Sequence, residues 1–142
     1  MSQLQHFVWS DALSTGVPAI DIQHKELIVA FNDLADAIEQ GEKPPAIQRI
    51  LVFLEFYADW HFGREEKCAD ECQCPCTEAN KQAHKYFTEV FRNLHDEYRL
   101  SKFSDEVARK VHRELSDWIV NHVLKVDKQI GVSYAERQAA QG

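Results

Sequence analysis

Residues 20–38 read IDIQHKELIVAFNDLADAI. Ile20, His24, Leu27, Ile28, Phe31, Leu34, Ala35 and Ile38 recur at steps of three and four, so they share one face of a helix. The spacing predicts a first helix from about Asp21 to Gln40, with Asp21 as its N-cap and Gly41 as its stop.

The same period continues along the chain. Pro44 and Pro45 open a second helix, where proline is tolerated in the first turn. Its stripe is Ile47, Ile50, Leu51, Leu54, Ala58, His61, Glu65 and Cys68. A third helix over about Glu78 to Leu100 carries Asn80, His84, Phe87, Val90, Phe91 and Leu94 on one face. Ser104 is placed to cap a fourth, striped by Val107, Val111, Leu115, Trp118, His122 and Val126. Glycines fall between the predicted helices or near the chain ends, apart from Gly63, which costs the second helix roughly 1 kcal/mol. No stretch alternates with period two. The expectation is an all-α, up-down-up-down four-helix bundle. It forms one domain, with an N-terminal arm over about residues 1–20 and the bundle over about 21–130.

The chain has 142 residues, enough to bury a core without disulfide or metal staples. A metal is therefore expected for function rather than folding. With 16 basic and 23 acidic residues the net charge is -7. Nothing resembles a basic stripe, which argues against a nucleic-acid partner. The start lacks a basic region followed by an apolar run, and no stretch approaches the roughly 20 apolar residues that cross a bilayer. A cytoplasmic protein without membrane attachment is expected. Cys68, Cys72, Cys74 and Cys76 fall within nine residues, a clustering that suggests reduced thiols, a redox pair or a metal site rather than an extracellular disulfide framework.

Every apolar stripe carries a polar residue at core depth: His24 on the first, His61 and Glu65 on the second, Asn80 and His84 on the third, and His122 on the fourth, with Asp127 five residues on. Buried ionisable groups are expensive unless paired or bound to metal. One such histidine is usually a hydrogen-bonded core residue, but histidine on all four stripes with two carboxylates is not. His61 and Glu65 are i and i+4, so both point into the bundle, and Asn80 and His84 are related in the same way. Imidazole with carboxylate suits iron, manganese or zinc, and mixed N/O ligation with room for an exogenous ligand leans toward iron. His6, His95 and His112 match no such position, and His95 and His112 are expected on or near the surface.

With these residues in place the chain resembles the hemerythrin family, including its single-domain bacterial members. The matching residues are Gly16 and Ile20-Asp21-Ile22-Gln23-His24-Lys25, His61-Phe62 with Glu65-Glu66, His84 with Phe87, and Trp118-Ile119-Val120-Asn121-His122 followed by Asp127. Trp9 fits the arm. The resemblance implies a centre of two irons held by histidines and bridging carboxylates, with dioxygen binding at the iron that has an open position. Carried over, His24 and His61 hold the dioxygen-binding iron, Glu65 and Asp127 bridge, and His84 and His122 hold the other. Leu27, Phe62, Trp118, Ile119 and Val123 fall where the family lines its oxygen pocket, although plain core packing accounts for the same five.

The position four residues before His84, histidine by this resemblance, is Asn80. A neutral carboxamide is a poorer iron ligand than imidazole. The second iron then binds with Asn80 or water in the sixth place, binds weakly or is lost to leave a mononuclear site, or recruits a nearby thiolate, unless the asparagine is an introduced substitution. A vacancy there predicts less stable oxygen storage, and an Asn80→His variant with slower autoxidation. Cys68 falls seven residues after His61, facing the core, and the cluster reads either as a thiol sensor or thiolate ligand, or as a small buried hydrophobe with loop residues behind it.

A binding protein for reversible oxygen carriage, storage or sensing is thus favoured over an enzyme. An oxidase or peroxidase at the same centre is the alternative, and a non-oxygen metal protein, binding zinc or acting as an iron or thiol-based stress sensor, is the third. The residues following the fourth helix carry no output domain, so a sensor would act through a separate protein partner. The sequence leaves the oligomeric state open.

Overall fold

A computed structural model of the chain describes residues 4–141, and the side chains of these residues apart from 123–127. An arm with a 3-10 turn at Asp11–Leu13 leads into α1 (Pro18–Glu39), α2 (Pro44–Glu71), α3 (Thr77–Leu100) and α4 (Asp105–Trp118). A π-helical stretch (Ile119–Val126) and α5 (Asp127–Gln141) continue directly from α4. Among the described residues there is no strand. α1 packs on α2, α2 on α3, α3 on α4, and α4 back on α1. This is the expected up-down-up-down bundle. No helix among the described residues is long and apolar enough to cross a membrane.

The predicted stripes meet along the bundle axis, where Phe31, Leu34, Leu51, Phe91, Val111 and Leu115 are buried in one cluster. Each such side chain stabilises the fold by about 1.5–3 kcal/mol. A second, smaller cluster closes the other end, where Val17, Ile20, Ala69, Cys72, Cys74, Cys76 and Ile130 join the start of α1, the end of α2 and α5. Here Gly131 faces the arm so closely that a Cβ would lie 1.7 Å from the carbonyl oxygen of Thr15.

The helix ends depart from the sequence reading in two ways. α1 starts at Pro18, whose fixed φ suits a first helical position, and its N-cap is Val17. Asp21 is therefore not the cap. Its carboxylate, one turn inside, accepts hydrogen bonds from the Ser14 hydroxyl (2.6 Å) and from the Thr15 amide and hydroxyl (both 2.8 Å). It thus ties down the bend between arm and helix. Gly41, at φ 67°, ends α1 as expected, with Glu42 N–H donating to the Ala37 carbonyl and Gly41 N–H to that of Ile38. α2 and α3 end with the same hydrogen-bond pair at Gln73 and Lys102, which take positive φ of 54° and 62° without being glycine. Ser104 occupies the N-cap of α4, but its side chain makes no capping hydrogen bond.

The arm lies along α1 and α4. Phe7 exchanges hydrogen bonds with the Asn32 carboxamide, its amide donating at 2.9 Å and its carbonyl accepting at 2.8 Å. The Gln5 carbonyl accepts from His112 Nε2 at 3.0 Å, and the Ser116 hydroxyl donates to the Gln5 side chain at 2.9 Å. This corrects the expected surface position of His112, which the arm covers and whose ring stacks on Phe31 at 4.4 Å. His95 is also buried, with Nδ1 3.6 Å from a Glu55 carboxylate oxygen. Neither matches a ligand position in the sequence, and it is the neighbours of each, Glu55 and the arm, that decide whether it is covered.

Candidate metal centre

Helical spacing delivers one histidine from α1, one with Glu65 from α2, one from α3 and one from the π-helical stretch to a single level of the bundle. His24, His61, Glu65, His84 and His122 are all buried, Glu65 completely. Two triplets form, His24 with His61 and Glu65, and Glu65 with His84 and His122, each with ligand atoms within 4.8 Å of one another. Glu65 belongs to both. Its Oε1 lies 2.9 Å from His61 Nε2 and 3.3 Å from His84 Nε2, and its Oε2 lies 3.6 Å from His24 Nε2. His84 Nε2 and His122 Nε2 are 3.0 Å apart.

These approaches lack the geometry of hydrogen bonds at Glu65. Among the described residues neither of its oxygens has a hydrogen-bond partner, nor does His61 Nε2. A buried carboxylate without donors is costly. Burial alone would raise the Glu65 pKa. The charge of His61 and the imidazoles of His24, His61 and His84 outweigh it and hold the carboxyl well below its ordinary range. An anionic oxygen pair facing imidazole nitrogens is the donor chemistry of a cation site, so the residues present fit one.

Two residues outside the sequence-derived set flank these groups. The Gln23 side-chain oxygen lies 2.5 Å from His61 Nδ1. Accepting from Nδ1 leaves Nε2 as the nitrogen that a cation would take, which is how outer partners fix ligand tautomers. A Glu66 carboxylate oxygen lies 3.6 Å from His84 Nδ1 on the far side of that ring. Both fall among the residues that carry the family resemblance, Gln23 beside His24 and Glu66 beside Glu65, but spacing gave neither a role.

The other candidates divide. Phe62 stacks flat on His84, with ring centroids 4.0 Å apart, and Trp118 stacks on His122 at 4.5 Å. Leu27, Trp118 and Ile119 line an apolar cavity of about 20 Å³ together with Phe31, Phe87 and Leu115. Phe62 does not line it, because stacking turns its ring onto the imidazole. Asn80 is fully buried one turn before His84. Asp127 and Val123 lie outside the residues whose side chains are described.

The cysteines sit just beyond the centre. Cys74 and Cys76 form a disulfide, while Cys68 and Cys72 are free thiols. Burial, with the neighbouring Cys72, Glu71 and Glu65, pushes the Cys68 thiol up to about 11. Cys72 is also raised, chiefly by burial, although backbone amides of Cys74 and Cys72 pull it down. The disulfide end connects to the centre through α3, where the Asn80 amide donates to the Cys76 carbonyl at 2.8 Å.

A family model described as "Hemerythrin HHE cation binding domain" matches residues 15–131. The bacteriohemerythrin of Pseudomonas aeruginosa strain PAO1 is 33% identical over 125 residues, covering 87% of this chain and 78% of the relative. That of Stenotrophomonas maltophilia is 30% identical over 134 residues, covering 94% and 82%. A crystal structure of wild-type hemerythrin superposes with a TM-score of 0.80 at 29% identity, covering 90% of this chain and 97% of that one. With the family model spanning most of the bundle and both relatives aligned across it, the chain belongs to the hemerythrin family.

Proposed function

We propose that the chain is a non-haem di-iron protein that binds dioxygen reversibly, for carriage, storage or sensing. The observation that carries this reading is Glu65, a buried carboxylate shared by two imidazole-containing triplets. On it, His24 and His61 hold one iron, His84 and His122 the other, and Glu65 bridges. Asp127, five residues after His122, is proposed as the second bridge. Imidazole and carboxylate donors together favour iron, and family membership supports an oxygen-binding centre. The iron pair would supply the electrons that take up and release dioxygen.

The chain's own residues set the conditions. Gln23 holds the His61 tautomer, and the Glu66 carboxylate places negative charge beside His84. The cavity lined by Leu27, Trp118 and Ile119 is apolar and large enough for one small molecule, so it admits a diatomic ligand while offering water no partner. The test is an absorption spectrum of anaerobic ferrous-loaded protein, then in air, then after oxygen removal. A charge-transfer band that comes and goes with oxygen supports a carrier or sensor. Irreversible conversion to a ferric spectrum favours oxidase or peroxidase chemistry instead.

A second reading, as a thiol redox sensor, rests on the disulfide beside two free thiols. Two-electron reduction of Cys74–Cys76 by a low-molecular-weight thiol yields two further thiols and the oxidised form of that reductant. Titration of the denatured protein should find two thiols before reductant and four after it. A count of four in both cases removes the disulfide and this reading with it.

A further inference from the structure

Asn80 is fully buried, and neither its side-chain oxygen nor its nitrogen has a hydrogen-bond partner among the described residues. Native proteins leave few buried amides in that condition, because each unused donor or acceptor carries its full desolvation cost. The residue is fixed in place: its backbone amide is held by the Cys76 carbonyl at 2.8 Å, and it precedes His84 by one turn on the same buried face of α3. Among the described residues the triplet that contains His84 offers three protein donors, Glu65, His84 and His122, of which Glu65 is shared with the other triplet, and Asp127, proposed above as the second bridge, would make four. Iron-like cations accept more donors than that. Asn80 therefore brings a neutral group with an unused donor and acceptor to within one helical turn of His84, in a triplet with fewer protein donors than such a cation takes.

We propose that Asn80 marks a second site for an exogenous ligand, at the cation held by Glu65, His84 and His122. The ligand class is a small monodentate inorganic anion, or water in its absence. It accepts a hydrogen bond from the Asn80 nitrogen while bound to the cation. A carboxamide suits this role because it is uncharged: it neither competes strongly for the cation nor repels an anion, and its N–H groups match an anionic ligand. The inference rests on the two-cation reading above and adds to it a second open position beside His84. One small ligand could then reach each cation, which separates this chain from a centre with one exchangeable place.

The experiment is a titration of ferric-loaded protein with azide, followed by calorimetry and absorption, with iron counted on the same samples. The expected result is two irons and two azides per chain. Asn80→His and Asn80→Asp place a stronger ligand at the open position and should each bind one azide with two irons retained. Asn80→Leu leaves the position open without a hydrogen-bond donor, so both azides should bind, the second weakened by about tenfold. Two irons with a single azide in the parent protein overturn the proposal alone, and so does an azide count that none of the variants changes. Fewer than two irons per chain overturns the two-cation reading and the proposal with it. Circular dichroism of each variant separates loss of fold from loss of the ligand.

Discussion

His84 Nε2 meets His122 Nε2 at 3.0 Å, with the two rings inclined by 61°. Two imidazole nitrogens this close cannot both carry a proton, and one must present its lone pair. α3 and the π-helical stretch thus bring two imidazole nitrogens to one place beside Glu65, donors that would hold a shared cation. Glu65 then becomes the residue on which both halves of the centre depend. Glu65→Gln keeps the shape and removes the charge, and should reduce bound iron from two per chain to one or none, measured by elemental analysis after gel filtration. Iron content equal to the parent would remove Glu65 from the shared position.

Loading with ferrous iron should raise the melting temperature of the metal-free chain. Five buried ionisable side chains converge, and a cation that binds only the folded state stabilises by mass action. At a free concentration about 100 times Kd, each bound ion contributes about 2.7 kcal/mol. For a chain of this size that corresponds to roughly 5–10 °C. Anaerobic calorimetry with and without iron measures it, and Glu65→Gln should abolish most of the gain. An unchanged melting temperature would mean that the folded chain has no preference for the ion.

Much of this was legible in the sequence because bundle helices declare themselves by period. The stripe through His24, the i,i+4 pair of His61 and Glu65, and the glycine after α1 follow from spacing alone. The π-helical stretch was not legible. In an α-helix residues five apart point about 140° away from each other, so the spacing of His122 and Asp127 fits no α-helical face. A ladder of i→i+5 hydrogen bonds changes that register, and no residue type announces it. The ends of α2 and α3 were hidden for a related reason. Gln73 and Lys102 take the left-handed conformation that glycine signals at Gly41, so the stop is made by backbone hydrogen bonds without its usual marker. The burial of His112 depends on an arm more than 100 residues away in sequence, beyond the reach of any local pattern.

That arm makes His112 a source of acid sensitivity. Burial pushes its pKa below the ordinary 6.5, while the hydrogen bond to the Gln5 carbonyl pulls the other way. A histidine with a depressed folded-state pKa contributes stability that is fully present above 6.5 and is lost as pH falls through the lowered value. His6 works oppositely: hydrogen-bonded to Asp36, its pKa is raised, so its contribution is present below 6.5 and lost as pH rises. His112→Gln keeps an N–H donor near Gln5 and removes the titration. Urea midpoints of the metal-free proteins between pH 7.5 and 5 should therefore fall less steeply in the variant. Parallel curves would show that His112 does not report on the arm.

Gly131 supplies the sharpest test of how the arm and α5 fit together. A Cβ there would lie 1.7 Å from the Thr15 carbonyl oxygen and 2.7 Å from its carbon, and these are backbone atoms that cannot swing aside. Thr15 is held in turn, because its amide and hydroxyl both donate to Asp21. Gly131→Ala must therefore break the bend at Asp21 or lift α5 from the cluster containing Val17, Cys72 and Ile130. Strain of this kind typically costs 1–3 kcal/mol, or roughly 2–12 °C in melting temperature. Gly63→Ala is the matched control, since its Cβ would meet nothing within 4 Å and the helix should gain about 1 kcal/mol. Opposite shifts for the two variants in calorimetry, with faster proteolysis of the arm in Gly131→Ala alone, are the expected outcome. Equal and small shifts would mean that α5 does not press on the arm in solution.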